Sequence, residues 1–228
     1  ALPGAFIKSK LIKQGVPAKK LLVVGDLQAS NRPQLAKELV YKILGINDLA
    51  KKIVLLISFR PNWLIPSEEK KAFVAWVRHS VNTDPNLILV IKPHPTERRH
   101  RVLAELLRWG VKGVIVSDNR QLELVDLLNA AEVVVQTWSF TLFEAVQLNK
   151  PVISVNPFNK NYQFFLPPLK TGAAIEVTSK QQLVEMLNRC LVDQNFLHKH
   201  LPRAKAAIAN FVRPHDGQAV QRVLKLLV

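Results

Sequence analysis

Short runs of β-branched and aliphatic residues alternate with longer stretches of helical periodicity from residue 53 onward. Ile53 to Ser58 and Leu87 to Lys92 are apolar at successive positions, so each predicts a strand that is buried on both faces. Further strands are predicted at Val114 to Ser117, Val133 to Gln136, Val152 to Ser154 and Ile175 to Val177. Strands of this kind, separated by helices, form a parallel sheet with helices on both sides. The pattern therefore predicts an α/β fold with a doubly wound parallel sheet.

Helical patterns fill the intervals between these strands. Helices are predicted from about Ser67 to Asn82, Thr96 to Trp109, Leu122 to Asn129 and Phe140 to Leu148. Pro66 precedes Ser67, which is a favourable N-cap residue, and acidic residues follow in the first turn. After the last strand, extra C-terminal helices are predicted over Gln181 to Asp193, then through Asn210, and from Asp216 to Leu227.

The first fifty residues are predicted to differ from the rest. Lys20 to Gly25 predicts one more strand, with a helix before it around Phe6 to Gln14 and another after it from about Pro33 to Leu44. Residues 1–50 are therefore interpreted as a connecting segment and edge elements. They lead into one domain over residues 51–228.

Composition limits the class of protein. Apolar residues make up 48% of the chain and charged residues 21%, which is typical of a globular protein rather than a disordered one. No apolar run approaches the ~20 residues that span a bilayer, and residues 1–10 lack the pattern of a secretory signal. The single cysteine, Cys190, has apolar and helical neighbours, which predict a position in the core. A reducing cytoplasm is the expected location.

The net charge indicates polyanionic partners without choosing among them. Lys and Arg outnumber Asp and Glu by 32 to 17, for a formal charge of +15, and such a field attracts nucleic acid, anionic lipid or phosphorylated substrates. A basic nucleic-acid-binding module is one interpretation, although the sequence has no reader motif and no interleaving of aromatic with basic residues. The favoured interpretation is attachment to an anionic membrane surface, at the inner face.

Lys92-Pro93-His94-Pro95 directly follows a predicted strand. In an open parallel sheet, ligands bind outside the carboxyl ends of the strands. The two prolines restrict this turn, so that the imidazole of His94 is displayed at the sheet edge, where it can donate to a phosphate oxygen beside the positive charge of Lys92. The alternative is that His94 only packs or caps the loop.

The segment Thr137 to Thr141 leads from another predicted strand into the helix that carries Glu144. Hydroxyl groups and free backbone N–H groups at a helix start can bind an anion. The alternative is capping alone, with Ser139 or Thr141 as the N-cap and Glu144 completing a capping box. Capping and ligand binding are compatible.

The order and spacing of these motifs resemble a known family. The strand–KPHP–helix segment is followed over Ala131 to Ile153 by A-E-V-V-V-x-T-x-S-x-T-x-x-E-A-x-x-L-x-K-P-V-I, and Gly172 to Val177 and Asp216 to Ala219 with Arg222 also fit. Together they resemble the C-terminal, Rossmann-like domain of GT-B glycosyltransferases that build surface polysaccharide. The bacterial sialyltransferase, capsule-synthesis and CDP-glycerol glycerophosphotransferase groups are the most similar, and UDP-N-acetylglucosamine 2-epimerase is a more distant relative. The resemblance covers nearly the whole chain.

The resemblance implies a role for each residue in the two loops. His94, Ser139 and Thr141 are expected to contact the donor's phosphate, Lys92 adds positive charge, and Glu144 is expected to hold the ribose. No metal is expected, since in such enzymes the helix dipole and basic groups stabilise the leaving nucleotide. No cofactor is expected, since the nucleotide-activated sugar is itself the substrate. The acceptor site and catalytic base of such enzymes belong to an N-terminal domain. The chain is therefore expected to be the donor-binding half, which can be inactive alone.

Epimerase activity is an alternative to transfer. The epimerases carry a glycine pair where this chain has Phe140 and Thr141, and those glycines let the backbone approach a diphosphate closely. Bulky residues there favour the transferases. The predicted function is transfer of a sugar or polyol phosphate from a nucleotide-activated donor to a glycan or lipid-linked acceptor.

A rival of another class comes from three short motifs. Ser67-x-x-Lys70, Ser117-Asp118-Asn119 and Lys170-Thr171-Gly172 reproduce, in order, the motifs of penicillin-recognising serine enzymes. In those enzymes the third motif lies on an antiparallel strand, whereas the pattern here predicts parallel strands. Chance is the favoured explanation.

Overall fold

A six-stranded parallel sheet forms the centre of the computed structural model, which describes residues 1–25, 34–62, 65–161, 167–213 and 216–225. The strands are β1 (Lys52–Ile57), β2 (Leu87–Lys92), β3 (Ile115–Val116), β4 (Ala131–Gln136), β5 (Val152–Val155) and β6 (Ile175–Val177). Their order is β3-β2-β1-β4-β5-β6, and every neighbouring pair is parallel. The chain thus winds outward in one direction from β1 and in the other from β4. The predicted fold class is confirmed.

Both faces of the sheet are covered by helices. The helices are α1 (Ala5–Lys13), α2 (Lys37–Leu44), α3 (Ser67–Val81), α4 (Arg99–Arg108), α5 (Leu124–Ala130), α6 (Thr141–Gln147), α7 (Lys180–Val192), α8 (Gln194–Ile208) and α9 (Ala219–Leu224). Ile53 and Leu55 of β1 pack into one apolar cluster with α2, α5, α6 and α8. Val54 and Leu56 pack into the other with α3, α4 and α7. This two-sided burial explains why the strands are continuous apolar runs.

The start of α3 differs from the prediction. The N-cap residue is Pro66, and Ser67 is the first helical residue without a side-chain cap hydrogen bond. Glu68 and Glu69 still place negative charge in the first turn. The predicted capping role of Ser67 is therefore wrong, because the extended backbone of Pro66 already precedes the helix.

The strand predicted at Lys20 to Gly25 does not join the sheet. A short 3-10 helix spans Ala18–Lys20, and Val23 forms only an isolated parallel bridge with Leu2. The hydrogen-bonding partner of this apolar run is the very start of the chain instead of β1 or β6. The start of the helix predicted from Pro33 lies outside the described residues, and α2 begins at Lys37.

The N-terminal segment packs against the C-terminal one. The Phe6 N–H donates to the Asn210 carbonyl at 2.7 Å, and the Arg213 N–H donates to the Pro3 carbonyl at 2.8 Å. The rings of Phe6 and Phe211 lie 4.5 Å apart, and the Arg222 guanidinium donates to the Val24 carbonyl at 3.0 Å. Residues 1–25, interpreted as a connecting segment, are thus attached to the helices at the other end of the chain.

Cys190 lies on α7, one of the C-terminal helices, and is buried in the apolar cluster beneath it. Burial raises the pKa of its thiol to about 12. The predicted core position is confirmed. A buried thiol of this kind is protonated at neutral pH and behaves as a small apolar side chain.

We expect Gly4→Ala to destabilise the protein through this terminal contact. A methyl group at Gly4 would overlap the Phe211 carbonyl and lie 2.8 Å from the Val212 nitrogen. The backbone of Gly4 is extended (φ −156°), so steric overlap is the reason for the effect rather than a backbone preference. Urea denaturation should show a loss of about 1–3 kcal/mol, as for an overpacked core. Lys13→Ala, at an exposed position on α1, should leave stability unchanged, and equal effects of the two variants would contradict this account.

Candidate functional site

A cleft of about 1350 Å³ opens at the carboxyl ends of the central strands. It is lined by residues 57–62 after β1, residues 92–95 after β2 and residues 137–141 after β4, with further contributions from the starts of α5 and α6. β1 and β4 are the neighbours at which the winding direction reverses. A crevice at this point is the usual ligand site of an open parallel sheet.

All five residues predicted from the sequence to form the site line this one cleft. They are Lys92, His94, Ser139, Thr141 and Glu144. The fold therefore brings together two loops that are separated by more than forty residues in the sequence. Their individual roles remain predictions.

The His94 ring is held by its own loop. The Thr96 hydroxyl lies 2.8 Å from Nδ1, and the Thr96 backbone N–H donates to Nδ1 at 3.2 Å. Because a backbone N–H can only donate, Nδ1 is the acceptor, and the proton of the neutral ring is on Nε2. His94 is exposed, so Nε2–H is available to donate to a ligand.

Lys92 is the last residue of β2 and is buried. Its ammonium donates to Oδ1 of Asn119 at 2.9 Å, and the Asn119 amide donates to the Pro93 carbonyl at 3.3 Å. Burial lowers the pKa of Lys92, and the Glu144 carboxylate opposes that shift. The ammonium of Lys92 therefore lines the cleft even though its burial disfavours the charged form.

Ser139 and Thr141 form a short chain of hydrogen bonds. The Thr141 N–H donates to the Ser139 hydroxyl at 3.2 Å, which donates to the Thr141 hydroxyl at 3.0 Å. The Thr141 hydroxyl is the acceptor in this second bond, so its own proton can be donated to another group.

The capping box that was the alternative interpretation for this helix is not formed. The N-cap of α6 is Phe140, which has helical backbone angles and no side-chain cap hydrogen bond. A capping box occurs instead at α5, between Glu123 and Asp126. Since α6 has only seven residues, the side chains at its start, rather than its dipole, are the groups that can bind an anion here.

Sequence reasoning missed the loop after β1. Ser58 is buried, and its hydroxyl has no hydrogen-bond partner among the described residues. Arg60 is exposed and lines the same cleft. The sequence marked Ser58 and Arg60 as possible cleft residues only by their position at the end of a predicted central strand.

An aromatic side chain stands at the side of the cleft. Phe140 is 65% exposed although it lines the cavity, and its ring stacks on Phe143 with centroids 5.9 Å apart and planes at 19°. An exposed ring that is supported on one face can stack with a planar or sugar ring on the other.

The penicillin-recognising motifs are not assembled. Lys70 is paired with the carboxylates of Glu97 and Glu105. Ser117 follows β3 and Thr171 precedes β6, and these two strands lie at opposite edges of the sheet. Lys170 and Thr171 of the third motif end a 3-10 helix instead of lying on a strand, so that rival is wrong.

Within the described residues there is no group of three or more His, Cys, Asp or Glu side chains that could hold a metal ion. The same part of the chain has no helix that is long and apolar enough to cross a membrane.

The family model described as UDP-N-acetylglucosamine 2-epimerase matches residues 4–228. The chain belongs to the UDP-N-acetylglucosamine 2-epimerase family. No curated protein sequence matches it. Among solved structures, the UDP-N-acetylglucosamine 2-epimerase from Neisseria meningitidis bound to UDP-GlcNAc has a TM-score of 0.63 at 17% identity, and the match covers 96% of this chain and 58% of that one.

Glycosyltransferase structures share the fold of this epimerase-family chain. The C-terminal CMP-Kdo binding domain of WaaA from Acinetobacter baumannii has a TM-score of 0.55 at 15% identity, over 75% of this chain and 95% of that domain. The wall teichoic acid polymerase TagF has a TM-score of 0.65 at 12% identity, over 99% of this chain and 56% of that one. The chain has the GT-B type of Rossmann-like fold. It spans a little over half the length of the epimerase and polymerase structures.

Replacing Lys92 with Met should leave the epimerase-family chain as stable as before, or more stable. The folded-state pKa of Lys92 is lowered by burial, so the unfolded chain binds more protons and the wild type gains stability as pH rises through that pKa. The Met variant lacks this gain, and its advantage should shrink from neutral pH to about pH 10. Chemical denaturation at both pH values measures the difference. A Met variant that is clearly less stable at neutral pH would contradict this account of Lys92.

Proposed function

We propose that this chain is the donor-binding domain of a glycosyltransferase. The enzyme would transfer a sugar or polyol phosphate from a nucleotide-activated donor to a glycan or lipid-linked acceptor in surface polysaccharide synthesis. One observation carries the proposal, namely that five residues expected to bind such a donor line one cleft at the switch point of the sheet. Other family members and fold neighbours are described as binding UDP-GlcNAc or CMP-Kdo.

In this proposal the donor's phosphate lies between the two loops. His94 donates from Nε2, Thr141 donates from its hydroxyl, and the Lys92 ammonium supplies charge. Charge-assisted hydrogen bonds of this kind are stronger than neutral ones. They would also stabilise the negative charge that develops on the leaving nucleotide, with no metal ion and no cofactor.

Glu144 is proposed to hold the ribose. It lies on the first turn of α6 and lines the cleft, and its carboxylate can accept hydrogen bonds from hydroxyl groups. The same carboxylate favours the charged form of Lys92. Glu144 would thus contribute to sugar binding and to the charge of the phosphate site.

Transfer is favoured over epimerisation by the residues that replace the glycine pair. Phe140 presents an exposed ring in the cleft, where a glycine would leave backbone accessible to a diphosphate. The proposal assigns the acceptor site and the catalytic base to another domain. Conversion of UDP-N-acetylglucosamine by this chain would instead favour the epimerase alternative.

The proposal predicts that nucleotide binding depends on both loops. Titration calorimetry with UDP-, CMP-, CDP- and GDP-linked donors should find one that binds. His94→Ala should weaken its affinity by about tenfold or more, since a hydrogen bond to a charged group contributes about 1.5–3 kcal/mol. Ser139→Ala should also weaken it, because the Thr141 hydroxyl loses the hydrogen bond that directs its own proton to the phosphate.

His100→Ala and Ser67→Ala are the matched controls, because both residues are exposed on other helices. They should bind the donor as the wild type does. If a nucleotide binds and neither His94→Ala nor Ser139→Ala weakens it, the proposed site is wrong. Salt-sensitive binding of random oligonucleotides that is unaffected by excess donor would support a nucleic-acid-binding module instead.

We also propose that the charge of +15 attracts the protein to an anionic membrane face. Arg98 and Arg101, at the start of α4, are exposed and contribute to this charge. Sedimentation with vesicles that contain phosphatidylserine should exceed that with neutral phosphatidylcholine vesicles and should fall as salt increases. Equal partitioning onto both vesicle types would contradict the proposal.

A further inference from the structure

A buried group of charges lies behind the His94 loop. Lys70 of α3 is only 2% exposed, and its ammonium is 2.5 Å from Oε1 of Glu97 and 2.7 Å from Oε2 of Glu105. The Glu97 side chain is 7% exposed and that of Glu105 is 24% exposed. Burial of carboxylate and ammonium groups costs desolvation free energy, which is offset only when the ion pairs have good geometry. The orientation of each partner is therefore tightly constrained.

Glu97 connects this group to the cleft. Its second oxygen, Oε2, accepts the His94 backbone N–H at 2.9 Å, and its own N–H donates to the His94 carbonyl at 2.8 Å. The turn from His94 to Glu97 is therefore closed by two hydrogen bonds in opposite directions. Lys70 fixes the carboxylate that makes one of them.

We propose that Glu97, held by Lys70, is a positioning residue for His94. It fixes the backbone of the turn in which Thr96 binds Nδ1, and so keeps the ring proton on Nε2, the nitrogen that faces no partner among the described residues. This inference rests on the proposed function, because it concerns the histidine that is proposed to donate to the phosphate. It adds a contribution from α3, a helix that does not line the cleft.

Glu105 provides a matched control within the same group. It binds the same ammonium from α4, but it has no hydrogen bond to the His94 loop. Loss of either carboxylate disturbs the buried charge of Lys70, whereas only loss of Glu97 releases His94. A purely structural role predicts similar consequences for the two substitutions at the cleft.

The first test compares Glu97→Ala with Glu105→Ala by calorimetry, using the donor that binds the wild type. Glu97→Ala should weaken binding by about the same factor as His94→Ala, roughly tenfold, and Glu105→Ala should leave affinity unchanged. In a His94→Ala background, Glu97→Ala should cause no further loss, because its effect acts through the missing ring. An equal loss in both backgrounds, or equal losses from the two glutamate variants, would overturn the proposal.

The second test needs no ligand. Nitrogen-15 NMR of the His94 ring in the free protein should show the Nε2–H tautomer in the wild type and in Glu105→Ala, and a mixture of tautomers in Glu97→Ala. An unchanged His94 ring in Glu97→Ala overturns the positioning role even if no nucleotide binds. Conversely, a shifted tautomer without any nucleotide binding would retain the positioning role and refute the proposed function.

Glu97→Gln serves if Glu97→Ala does not fold. The amide keeps the size of the side chain and has one acceptor oxygen instead of two, so it cannot serve the Lys70 ammonium and the His94 N–H at the same time. It should show the same tautomer change and loss of affinity to a smaller degree. A folded Glu97→Gln protein with the wild-type ring signal and affinity would overturn the proposal.

Discussion

The parallel pairing of β1 with β4 at the centre of the sheet is the constraint on which the rest of the molecule depends. Both strands are apolar on both faces, and each must be covered by helices on two sides, so the chain winds outward from them in two directions. The carboxyl ends of all the strands then lie along one edge. Loops after β1, β2 and β4 converge there, because the reversal of winding leaves a gap between them. The cleft is thus a product of strand order, and its chemistry comes from the few polar residues that follow apolar strands.

Burial of some of these polar residues costs desolvation free energy. Lys92 ends a buried strand and is desolvated, and the Ser58 hydroxyl lacks a partner among the described residues. The ammonium of Lys70 is also buried, but it forms ion pairs with the carboxylates of Glu97 and Glu105. One buried lysine is therefore compensated by the protein, while the other faces the cavity, where an anion would compensate it. This difference in electrostatic compensation supports the proposal that the cleft binds a phosphate.

The sequence predicted the sheet well, because local patterns carry the information that defines its strands. β1 and β2 were each predicted to within one residue, whereas the apolar run at Lys20 to Gly25 was wrongly predicted as a strand of its own because its partner, Leu2, is not readable from local pattern. The five proposed site residues could be selected because they follow strands. Asn119 and Glu97 could not, since their contacts with Lys92 and Lys70 each join residues 27 positions apart. Cap geometry at α6 also escaped prediction, because the sequence Ser139 to Glu144 satisfies two capping patterns and the backbone adopts neither.

The attachment of the first residues to the last ones has a consequence for the order in which the molecule folds. The hydrogen bond from Arg222 to Val24 closes a loop of 198 residues, and contacts of such sequence separation are slow to form because loop closure costs entropy before any contact repays it. The two halves of the sheet, β1 to β3 and β4 to β6, have much shorter connections and can form earlier. During synthesis residues 1–25 are made before their contact residues Asn210, Arg213 and Arg222. Phe6 therefore meets its aromatic partner Phe211 late, and α1 has no buried residue that would hold it in place before then.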